Sequence, residues 1–164
     1  ASVDKARDLT KKPIFIAGVG QGSAGSLINQ KDFTRVIARE ISAKQAYKQA
    51  GVGPNDIDVC ELHDCFTIAE ILATEALGFF EYGQGSKAVE AGETALDGKV
   101  PINPSGGLKA KGHPIGATGA AQGYEIVKQL REECGERQVK GAEVGMIDTL
   151  GGDLATVCNI IFRR

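Results

Sequence analysis

Apolar, β-branched runs alternate along this chain with stretches of helical periodicity, and only the turn Gly151-Gly152-Asp153 separates the last two runs. Such alternation implies a largely parallel sheet with helices on both faces. A tight turn joins only antiparallel neighbours, so the closing pair must run against each other. The expectation is an α/β domain with three layers, α/β/α, around a mixed sheet. Strands are expected over Pro13–Val19, Ile57–Leu62, Val144–Leu150 and Leu154–Phe162, with a short one at Val100–Ile102. Asp32 is placed to cap a helix running to about Ala50, with Phe33, Val36, Ile37, Ile41 and Tyr47 near one face. A second helix is predicted over Thr67–Leu77, with Ile68, Ile71 and Leu72 inward. A third ends near Glu133 and buries Tyr124, Val127 and Leu130. Residues 1–12 read as a helical turn or linker, 13–164 as one domain, and 81–98 as an irregular excursion.

The length of 164 residues suits one domain of ordinary size, and 42% hydrophobic with 24% charged residues is a globular balance. A net charge of −2 offers no electrostatic footprint for nucleic acid or an anionic membrane. No stretch approaches the ~20 apolar residues of a membrane span, and no secretory leader is visible. Cys60, Cys65, Cys134 and Cys158 are too sparse for a disulfide framework, so reduced thiols and a cytoplasmic location are expected. The terminal Phe162-Arg163-Arg164 is not a peroxisomal tripeptide. The 22 glycines are the unusual feature, and they imply tight turns and close backbone approaches.

The two histidines of the chain each stand where chemistry is favoured. His63 and Cys65 lie in Glu61-Leu62-His63-Asp64-Cys65-Phe66, where a strand hands over to a helix. Ligands of doubly wound sheets gather at such carboxyl ends. If the extended geometry persists, His63 and Cys65 project to one side. His113 lies in Lys111-Gly112-His113-Pro114-Ile115-Gly116, again just before a helix. Gly112 and Gly116 there would let backbone approach a ligand, and N–H groups at a helix start favour developing negative charge. A neutral imidazole in this position can take a proton from a thiol or donate to an oxyanion.

Other patterns compete. Gly20-Gln21-Gly22-Ser23-Ala24-Gly25 matches a dinucleotide fingerprint, but the next strand ends near Glu61, roughly twice too far for the ribose-binding acid expected ~20 residues on. Metal binding through Cys60, His63, Cys65 and His113 conflicts with the opposite strand parity of Cys60 and Cys65, so no metal is expected. Cys65 with His113 would also serve as a self-contained hydrolase dyad.

Read together, His63-Asp64-Cys65-Phe66, the stretch NPSGGLKAKGHPIGATG from Asn103 to Gly119, and Thr149-Leu150-Gly151-Gly152 resemble the thiolase superfamily. The HDCF form is similar to that of sterol-carrier-protein-2-type thiolases and their acetyl-CoA acetyltransferase-like relatives. The resemblance covers essentially the whole chain but only the later, C-terminal part of a thiolase. It implies a half-molecule with a five-stranded mixed sheet, and cleavage of 3-ketoacyl-CoA by coenzyme A or the reverse Claisen condensation. By resemblance, His113 activates a nucleophilic cysteine, His63 helps build an oxyanion site, and the Gly151 N–H completes another. Asn103, Gly112 and Gly116 become candidate substrate contacts. Where thiolases usually carry a second cysteine this chain has Thr149, a hydroxyl too weakly acidic to shuttle protons near neutral pH, and Cys65 is expected to take over as acid/base.

The resemblance also implies what is missing. The acyl-carrying cysteine of thiolases belongs to an N-terminal domain, expected as partner in the same parent chain or as a separate subunit, with the complete enzyme a homo-oligomer. The chain alone is therefore expected to be inactive, with acyl-CoA and coenzyme A as substrates and no further cofactor. The alternatives are a non-catalytic acyl-CoA-binding or scaffold subunit, and the Cys-His hydrolase.

Overall fold

The computed structural model describes residues 1–164, the side chain of Leu27 excepted. Four strands form one sheet: β1 (Phe15–Ser23), β2 (Val59–Leu62), β3 (Val144–Gly151) and β4 (Thr156–Arg163), in the order β1-β4-β3-β2. β2 runs parallel to β3, while β4 is antiparallel to both β1 and β3. The mixed sheet is as expected; the fifth strand is not. Ile102 makes a single bridge to Cys60 on the free edge of β2, and pairing stops there. Pro101 has no N–H to extend a ladder, and Asn103 turns the chain away in a left-handed conformation (φ 49°).

Helices cover both faces. The sheet's period-two alternation sorts side chains between them. Val59 from β2 and Ile147 from β3 pack against Ile126 and Leu130 of α6 (Thr118–Arg131). Cys60 and Leu62 of β2, with Met146 of β3, face the opposite way, toward Ala43 and Ala46 of α2 (Ile37–Ala50) and Ala73 of α3 (Thr67–Ala76). Shorter helices are α1 (Val3–Leu9), α4 (Gly85–Glu90) and α5 (Gly107–Lys111). α1 lies within the expected lead-in segment and buries nothing. α4 replaces part of the expected irregular excursion and tucks Gly85 and Ala88 inward.

Three expectations about faces are corrected. β1 runs on through the glycines to Ser23, because Gly18, Gly20 and Gly22 lie on its helix-facing side. A Cβ at Gly20 would overlap the Ser42 carbonyl, and one at Gly22 that of Ala38, so α2 lies almost on the strand backbone. The buried side of α2 is consequently the small one, Ala38, Ser42, Ala43 and Ala46, whereas Ile37, Ile41 and the preceding Phe33 are exposed. Asp32 does not cap this helix; its carboxylate accepts from the Thr34 N–H in a turn ahead of it (2.9 Å). Ile68 and Tyr124 also point outward, while Leu130 is fully buried.

Candidate active site

β2 and β3 end side by side. Leu62 pairs with Asp148, so His63 continues next to Thr149 at the carboxyl rim of the parallel pair. Strand parity puts His63 on the α6 face with Val59 and Glu61. α6 begins at the same rim, where Gly119 abuts Thr149 closely enough that an added Cβ would lie 3.3 Å from its hydroxyl. The loop before α6 delivers His113. The two imidazoles meet edge to face, with ring centroids 4.8 Å apart and planes at 83°. Two segments fifty residues apart thus place both histidines of the chain in one contact.

Their surroundings differ. His63 is only 5% exposed, and its Nδ1 has no hydrogen-bond partner among the described residues. Burial holds His63 below its ordinary value of 6.5, and the neighbouring His113 depresses it further. His113 is exposed, and its Nδ1 lies 2.7 Å from the Thr118 hydroxyl, which itself donates to the Pro114 carbonyl at 3.3 Å. A hydroxyl has one proton to give; when it goes to that carbonyl, His113 Nδ1 must be the donor, and the Nε2 lone pair is then left for another partner. An imidazole with its far nitrogen tied and its near nitrogen bare is arranged to accept a proton.

Cys65 lies on the same β2–α3 loop, where the chain bends, and its exposed thiol makes no hydrogen bond among the described residues. Gly151 is the last residue of β3, two beyond Thr149 on the same rim. The Thr149 hydroxyl donates to Gln122 Oε1 (2.8 Å), which commits its proton to a structural bond. Gly112 takes a positive φ of 77° with open space where a side chain would be, and Gly116 is equally uncrowded. Asn103 is used by the frame: its Oδ1 accepts from the Leu62 N–H (2.8 Å) and its own N–H donates to the Cys60 carbonyl (2.8 Å). Its Nδ2 stays buried without a partner among the described residues. Cys60 points to the opposite sheet face, and no group of three or more His, Cys, Asp or Glu among the described residues could hold a metal ion.

Beneath the rim, Arg39 of α2 and Asp148 of β3 form a two-pronged ion pair (2.9 and 2.7 Å) with both side chains 0% exposed. Asn159 Nδ2 donates to the same carboxylate (2.9 Å). This pair fixes the end of β3 against α2. Sequence reasoning missed a second network, which ties the histidine-bearing loop to β2. Glu61 is wholly buried, and its carboxylate accepts from the Ser105 N–H (3.0 Å), the Ser105 hydroxyl (2.6 Å) and Lys111 Nζ (3.3 Å). Asp64 Oδ1 accepts from the Leu108 N–H (2.8 Å), and the absence of a side chain at Gly107 admits its carboxylate. The available signal was the matching offset, an acid two residues before one histidine and a base two residues before the other.

The thiolase C-terminal domain-like family matches residues 20–164 of this chain. The acetyl-CoA acetyltransferase of Methanothermobacter thermautotrophicus is 50% identical over 162 residues, which are 98% of this chain and 42% of that protein. Human sterol carrier protein 2 is 48% identical over 129 residues, covering 77% of this chain and 24% of its own length. The benzoylsuccinyl-CoA thiolase subunit BbsB of Thauera aromatica is 42% identical across 87% of this chain and 37% of that subunit. Among solved structures, a chain of an Ltp2-ChsH2(DUF35) aldolase superposes with a TM-score of 0.87 at 25% identity, over 98% of this chain and 42% of its own. The chain spans less than half the length of these relatives. A match running from the middle of β1 to the last residue leaves one conclusion: the protein belongs to the thiolase family, as a thiolase C-terminal domain.

Proposed function

We propose that this chain is the C-terminal catalytic half of an acyl-CoA C-acyltransferase, working with an N-terminal thiolase domain that supplies the acyl-carrying cysteine. The observation that carries the proposal is the contact of His63 with His113 at the rim of the sheet. His113, its Nδ1 tied to Thr118, takes the proton of the incoming thiol at Nε2 and, once protonated, donates to the thioester oxygen. His63 is the second donor to a developing oxyanion, and the Gly151 N–H lies on the same rim for another. Cys65 exchanges a proton with the substrate α-carbon or the departing thiolate, the task Thr149 is unfit for. Gly112 and Gly116, open where side chains would stand, leave room for an acyl-CoA beside His113, whereas Asn103 serves the frame. Phe66 and Ile115, flanking Cys65 and His113, are 73% and 86% exposed, which supports a partner half seated over the rim.

The scaffold reading leaves the close packing of two imidazoles without a use. The hydrolase reading requires a thiol–imidazole bond, and Cys65 makes none among the described residues. The test is a chimera in which this chain replaces the matching segment of the Methanothermobacter acetyltransferase. Thiolysis of a 3-ketoacyl-CoA by the chimera, with none by the chain alone, is the expected result. A folded chimera without turnover would favour the scaffold, and turnover by the chain alone would contradict the proposal.

A further inference from the structure

The two histidines sit at equal steps from the two ends of one ion pair. Glu61 precedes His63 by two residues on β2, and Lys111 precedes His113 by two residues at the close of α5. We propose that Glu61, Ser105 and Lys111 form a positioning clamp that sets the distance between the two imidazoles.

Ser105 is the bridge. Its hydroxyl accepts from Lys111 Nζ (2.6 Å) and donates to Glu61 Oε2 (2.6 Å), while its N–H donates to Glu61 Oε1 (3.0 Å). Period-two geometry keeps Glu61 and His63 on the same face of β2, with Glu61 one step further from the rim. Lys111 reaches the carboxylate from the segment that Gly112, with its positive φ, turns toward the rim. The ion pair and the ring contact are therefore two successive ties between the same two segments. The inner tie is closed: Glu61 is fully buried and Lys111 about one-third exposed. The outer one faces the rim and has no hydrogen bond joining the rings. With no bond between the rings, the charged tie one step below is one of the links that join their two segments, beside the Leu108–Asp64 bond.

The proposal rests on the thiolase reading for its bearing on turnover, but its test does not. Because the chain holds only two histidines, isotope labelling of histidine reports both rings without interference. In the labelled chain the ring-to-ring nuclear Overhauser effect is expected to be visible. Lys111→Met should weaken it several-fold, and Lys111→Arg, which keeps the charge, should restore it. Ser105→Ala removes only the bridge and should weaken it less. Amide signals from β1 and α2 report whether each variant is folded. An undiminished ring effect in folded Lys111→Met would overturn the clamp. So would loss of the β1 and α2 signals in both Lys111→Met and Ser105→Ala, since the network would then be a general prop of the fold. A chimera that fails to turn over while these shifts are seen would break the functional reading and leave the clamp standing.

Discussion

Two glycine-rich stretches, residues 18–26 and 103–119, each look like a cradle for a ligand, and they do opposite work. In the first, glycines recur every second residue along β1, and each faces a backbone carbonyl of α2. The space that a phosphate would need is filled by the protein's own helix. In the second, Gly112 and Gly116 have nothing within 4 Å of where a side chain would stand. They keep space open beside His113. A glycine is therefore informative through what occupies its missing side chain, and period-two spacing in a strand points to packing rather than to binding.

Substitutions should separate the stretches. Gly20→Val drives a side chain into the Ser42 carbonyl, and helix backbone cannot yield; a loss of about 3 kcal/mol is expected, at the upper end for overpacking. Thermal unfolding would then shift downward by roughly 6–12 °C. Gly112→Ala meets no neighbour but forces alanine to φ 77°, ψ 179°, at a cost of about 1–3 kcal/mol. In the chimera it should also lower turnover, because His113 follows directly. Gly116→Ala should change stability by no more than about 0.5 kcal/mol, so any loss of turnover there reports on the site alone. Equal destabilisation at positions 20 and 116 would dissolve the contrast.

The smallest effect concerns pH. Burial, with His113 second, holds His63 below 6.5 in the folded chain. Below that pH the unfolded chain takes up a proton that the folded chain refuses. The contribution is therefore whole above 6.5 and is lost as pH falls toward the lower folded value. Melting curves of the parent chain and His63→Asn should diverge only on the acidic side, with the parent falling faster.

Much of this was legible in the sequence, and what was not has physical causes. The alternation of runs and the closing tight turn identified a mixed sheet, and the rim position of both histidines followed from strand-to-helix junctions. Of the residues expected on the buried face of α2, Val36 and Tyr47 are inward but Phe33, Ile37 and Ile41 are not, because Ala38, Ser42 and Ala46 carry little hydrophobic signal although the glycines opposite them make theirs the buried side. The fifth strand failed at Asn103, whose backbone is left-handed without being glycine. The tie between Glu61 and Lys111 joins residues fifty positions apart, and only their matching offsets from the two histidines hint at it.

As proposed, His113, brought against His63, is the proton acceptor of a shared site completed by another domain. Steady-state thiolysis by the chimera, parent against His113→Ala, tests it most directly. A fall in kcat of about 10²–10⁴-fold with folding unchanged is expected, since the side chain is exposed. Full activity in His113→Ala would contradict it.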